Sequence, residues 1–72
     1  MDPLVYYVIR QRNGWGVEHA GLVRSGHKSR DGAIAKAREH AHKASKHGHE
    51  CCLRIQEEAG SWREERSFAP NQ

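Results

Sequence analysis

Between Ser29 and Gly48 the apolar residues Ala33, Ile34, Ala37, Ala41 and Ala44 recur at helical spacing, and Ile34 is the only large one among them. Residues three and four apart share one face of a helix, so this spacing predicts a single helix with an alanine stripe. Ser29 is placed to cap its start, Asp31 to meet the positive end of the helix dipole, and Gly48 to close its end. Gly32 in the first turn weakens the start by about 1 kcal/mol relative to alanine. Such a stripe can lie close to its neighbour but buries little area. It therefore needs a partner that supplies the bulk, and a sheet of β-branched and aromatic residues does so.

The flanking segments read as those strands. Leu4 to Ile9 is an apolar run rich in β-branched and aromatic residues and too short for a typical helix. Asn13-Gly14 follows, and both residues accept the positive φ of a type I′ hairpin turn. Trp15 to His19 alternates apolar and polar as a second strand, antiparallel to the first. Ala20-Gly21 allows another turn, and Leu22 to about Ser25 makes a short third strand. Beyond the helix, Cys51 to Gln56 alternates with Cys51, Leu53 and Ile55 on one face. Glu57 to Ser61 is a turn, and Trp62 to Phe68 forms the last strand. The expected order is β-β-β-α-β-β: an α+β domain with an antiparallel sheet of four to five strands and one helix packed on one face. With 72 residues the chain makes one domain, residues 1–72, with a structured core at about 4–68 and a flexible tail at 69–72. A chain this short hides only about 60% of the surface that its unfolded form exposes, too little for both a core and a buried ligand cavity.

Three stretches carry a resemblance to a known family. YYVIRQRNGWGVEHAG near the start, the alanine-rich DGAIAKAREHA and GSWREERSF near the end together resemble the bacterial domain of unknown function 2188 family over nearly the full length. The resemblance implies a compact α+β fold in bacteria and their mobile elements and no established activity. Where that family usually has a proline after the first strand and an acidic residue before the final proline, this chain has Gln11 and Ala69.

Catalytic chemistry finds no foothold in the sequence. No nucleophile-elbow, phosphate-cradling or kinase-like pattern is present. The adjacent pairs Glu57-Glu58 and Glu64-Glu65 fall in a turn and across the two faces of a strand, so neither makes an acid–base couple. The stretch KHGHECC at 46–52 holds zinc-type donors, but Gly48 ends the helix there. Cys51 and Cys52 on a strand also point to opposite faces. The reading is a helix end with no metal site, no cofactor and no enzymatic activity.

Charge gives the one functional lead. Twelve Lys and Arg against nine Asp and Glu leave a net +3, rising to +9 with all six histidines protonated. Opposite the alanine stripe the helix carries Lys36, Arg38, His42, Lys43 and Lys46, preceded by Lys28 and Arg30. Such a face suits phosphates, so weakly specific nucleic-acid binding by a non-catalytic module is the expected function. The alternative is a protein-binding adaptor or inhibitor, of the kind a phage or other mobile element carries, acting through an exposed sheet face or edge. With Asn13-Gly14 as the turn, Arg12 pairs with Trp15 and Arg10 with Val17, placing both arginines on the Trp15 face. If that face is the one away from the helix, an Arg–Trp surface is exposed; if Trp15 is core instead, the turn is longer. Trp15 and Trp62 are expected in the core, because a small domain needs its aromatics inside. The first ten residues lack the basic start of a secretory signal, and no run reaches the roughly 20 apolar residues that span a bilayer. Two cysteines suit a reducing compartment, so a cytoplasmic protein without a membrane partner is expected.

Overall fold

A computed structural model describes residues 3–68; the expected tail at 69–72 lies outside the described residues. Five strands and one helix follow in order: β1 (Leu4–Gln11), β2 (Gly14–His19), β3 (Leu22–His27), α1 (Arg30–Lys46), β4 (Cys51–Gln56) and β5 (Trp62–Phe68). They form a two-layer α+β domain with strand order β3-β2-β1-β4-β5. The sheet is mostly antiparallel, as expected, but the central β1–β4 pairing is parallel, with Tyr6 opposite Leu53 and Val8 opposite Ile55. The helix causes this departure from an all-antiparallel sheet. It carries the chain back along the sheet, so β4 runs in the same direction as β3 and therefore as β1.

Both ends of α1 are closed by local chemistry. Ser29 is extended (φ −124°, ψ 153°), and its Oγ accepts a hydrogen bond from the Gly32 N–H at 3.0 Å. At the other end the N–H of Gly48 donates to Ser45 O and that of His49 to Ala44 O, both at 3.1 Å, with Gly48 at φ +89°. This double closure takes up carbonyls that the last turn would leave open, and it needs the left-handed residue that glycine provides. Ala33, Ala37 and Ala41 are fully buried against the sheet. Beneath them lie Tyr6, Val8, Trp15, Val17, Cys51, Leu53 and Ile55, one contiguous core on one face.

The first hairpin differs from its sequence signal. Gln11 pairs with Gly14, Arg10 with Trp15 and Val8 with Val17, so Arg12-Asn13 forms the two-residue loop and Gly14 belongs to the strand. The register seats two fully buried valines opposite each other, where the Asn13-Gly14 turn would have set Val8 against His19. Trp15 is core, as expected, yet the loop has not lengthened to allow it. The turn with two positive φ values lies instead at Ala20 (φ 54°) and Gly21 (φ 81°). An alanine in that region is strained, and asparagine tolerates it better. Ala20→Asn should therefore raise stability by about 0.5–1 kcal/mol, read as a higher urea midpoint at unchanged m-value. A lower midpoint would contradict this reading of the turn.

Trp62 corrects a second expectation. It is 52% exposed, on the face of the sheet away from α1, where its ring meets Tyr7 edge-on at 6.1 Å. The β5 register explains this: Arg63 and Glu65 oppose Ile55 and Leu53, so the charged residues share the helix side and Trp62 falls on the other.

Candidate anion-binding surface

The seven positions singled out on and before α1 behave in three ways. Lys36 and Lys43 both approach Glu39, at 3.1 and 3.5 Å, as their spacing along one helix face permits. Arg38 holds Glu65 of β5 with two hydrogen bonds of 2.7 and 3.2 Å, and Arg30 reaches Glu57 at 2.8 Å and Gln56 O at 3.3 Å. Lys28, His42 and Lys46 make no ion pair among the described residues. Hydrogen bonding from Lys36 holds the Glu39 carboxyl below its ordinary range, and hydrogen bonding from Arg38 does the same for Glu65. Both carboxylates are therefore charged at neutral pH.

Pairing does not neutralise the surface, because each of the three carboxylates is shared. Glu39 serves Lys36 and Lys43, Glu57 serves Arg30 and Arg63, and Glu65 serves Arg38 and Arg63. Surface pairs of this kind are weak and are screened by salt, so these cations stay available to a stronger anion.

A second group of cations gathers at the β1–β2 turn. Arg10 lies 5.5 Å from the centre of the Trp15 ring, on the same sheet face, and its backbone N–H donates to Gln56 Oε1 at 2.9 Å. Arg12 in the turn and Lys28 beyond β3 line a hollow there. The placement of Arg12 and His27 beside Lys28 was missed by helix-face reasoning. The available signal was glycine at Gly14 and Gly26, which leaves backbone bare between the cations.

Elsewhere the polar groups pack inward. Tyr6 is stacked between His19 and His40, with ring centres at 4.4 and 5.7 Å. His40 Nε2 is buried without a hydrogen-bond partner among the described residues. Burial pushes the His40 pKa down, assisted by Lys36, Lys43 and Arg24, while Glu39 opposes them. The unfolded chain thus takes up this proton first, and the contribution of neutral His40 is present above about pH 6.5 and lost as pH falls through the lowered folded value. The wild-type urea midpoint should fall between pH 7.5 and 5, with a shallower fall in His40→Gln; equal pH slopes would contradict this.

In the KHGHECC stretch, Cys51 faces the helix and Cys52 the opposite side of β4, although both are buried. Burial raises the Cys51 pKa, which keeps this sulfur a thiol and a poor nucleophile or metal ligand. No group of three or more His, Cys, Asp or Glu side chains able to hold a metal comes together among the described residues.

Fold and surface define a small two-layer α+β domain with a mixed sheet, one helix and a cation-rich helical flank. Residues 6–68 match the family described as an uncharacterized protein conserved in bacteria (DUF2188), and the chain belongs to that family. No curated protein and no solved structure matches it. No helix is long and apolar enough to cross a membrane.

Proposed function

We propose that the protein is a non-catalytic, cytoplasmic binding module that takes nucleic acid through its phosphates with weak sequence specificity. The observation that supports this reading is the sharing of each flank carboxylate by two cations, together with Lys28 and Lys46, which have no acidic partner among the described residues. Contacts of this type follow the backbone and release counterions, and they read no base edges. The test is amide chemical-shift mapping with a short duplex at low salt. Perturbations along α1 at Lys36, Lys43 and Lys46, lost when Lys43 and Lys46 are changed to Gln, support the reading. A spectrum unchanged by the duplex overturns it.

A second reading rests on a different observation. On the sheet face away from α1, exposed Trp62 meets half-buried Tyr7, with half-buried Val5 and Ile9 on the same side of β1. An apolar patch of this kind suits a protein partner. Salt-tolerant binding of a protein, abolished by Trp62→Ala and indifferent to the lysine changes, would favour it.

A further inference from the structure

The β1–β2 turn and the end of β3 border an open surface hollow of about 410 Å³. Two of its lining residues are glycines. Gly14 approaches β3 so closely that a Cβ there would lie 2.3 Å from His27 O, whereas a Cβ on Gly26 would meet nothing within 4 Å. Gly26 therefore fronts open space. The hollow lies at the lower end of the range of about 300–1,000 Å³ typical of ligand sites.

Its charge is one-sided. Arg12 stands on the turn side and Lys28 on the β3–α1 side, and no acidic side chain among the described residues lines the space. Neither cation makes an ion pair among the described residues. The Asn13 amide adds neutral donors, and Trp15 supplies apolar surface. The His27 ring is held by a 2.8 Å contact between its Nε2 and Ser25 Oγ. Two cations lining one small hollow, with no carboxylate beside them among the described residues, suit a compact, doubly charged anion better than a single carboxylate.

We propose that this hollow binds a phosphate monoester, with Arg12 and Lys28 closing on the phosphate from either side and Asn13 donating to it. The inference shares its phosphate chemistry with the proposed function but does not depend on the α1 face. A free nucleotide and the 5′ end of a nucleic acid present the same group.

The test is a ¹⁵N–¹H titration of the full chain with inorganic phosphate, adenosine 5′-monophosphate, adenosine, and an oligonucleotide with or without a 5′-phosphate. Phosphate and the monophosphate should shift the amides of Arg12, Asn13, Gly26 and Lys28, while adenosine should not. Arg12→Gln with Lys28→Gln should weaken the monophosphate at least tenfold. Gly26→Val, which fills open space, should do the same with a dispersed spectrum. A preference for the 5′-phosphorylated oligonucleotide assigns the ligand to nucleic-acid ends; response to the monophosphate alone assigns it to free nucleotides; both support the site. Adenosine acting as well as its monophosphate, a double variant that binds undiminished, or no shifts at the hollow would each overturn it. Shifts confined to α1 would overturn the site while leaving the proposed function standing.

Discussion

Gly14→Ala should lose about 3 kcal/mol or more of stability, combining strained backbone with displacement of a neighbouring strand. Gly14 sits at φ +152°, and a methyl there would lie 2.3 Å from the backbone oxygen of His27. That oxygen belongs to β3, so relief requires moving a strand that pairs with β2 through Trp15–His27 and Gly16–Gly26. A domain of this size has only about 4–10 kcal/mol in total. The urea transition, followed by far-ultraviolet circular dichroism, should shift to much lower denaturant or vanish. A midpoint equivalent to within about 0.5 kcal/mol of wild type would show that β2 and β3 do not meet this closely.

Leu53→Ala should be comparably severe, with a loss of about 2–5 kcal/mol. Leu53 is fully buried on β4 and pairs with Tyr6 of β1 and Glu65 of β5, under a helix that offers mostly methyl groups. An alanine helix has no long side chain to swing into the cavity, so the site relaxes poorly. Ile34, the one large residue of the stripe, is itself almost fully buried. The same urea measurement checks the expectation, and a loss below about 1 kcal/mol would mean that Leu53 is not central to the core.

Local features were the most legible in the sequence. The cap at Ser29, the closure at Gly48 and the alanine stripe each depend on residues within one or two turns, and all three are formed. The five strands stand close to where periodicity put them, although β3 continues to His27. Features set by long-range pairing were not legible. Asn13-Gly14 carries a strong turn signal, but burial of Val8 against Val17 and the approach of Gly14 to His27 fix a different loop. The face of Trp62 depends on the β4–β5 register, which no local pattern encodes.

The candidate site divides in the same way. Lys36, Glu39 and Lys43 are readable as a cluster from helical spacing alone. The hold of Arg38 on Glu65 and of Arg30 on Glu57 spans 27 positions in each case and needs the folded sheet. The hollow at Arg12 and Lys28 likewise exists only once β1, β2 and β3 are side by side.

The central claim is that this basic surface engages nucleic-acid phosphate, and its most direct test is fluorescence anisotropy of a labelled duplex titrated with the protein over a salt series. Contact with about three phosphates should give a log–log slope of affinity against salt near −2.7, with little dependence on sequence. No binding at low salt by a protein whose circular dichroism shows it folded, or binding indifferent to salt, would contradict the claim.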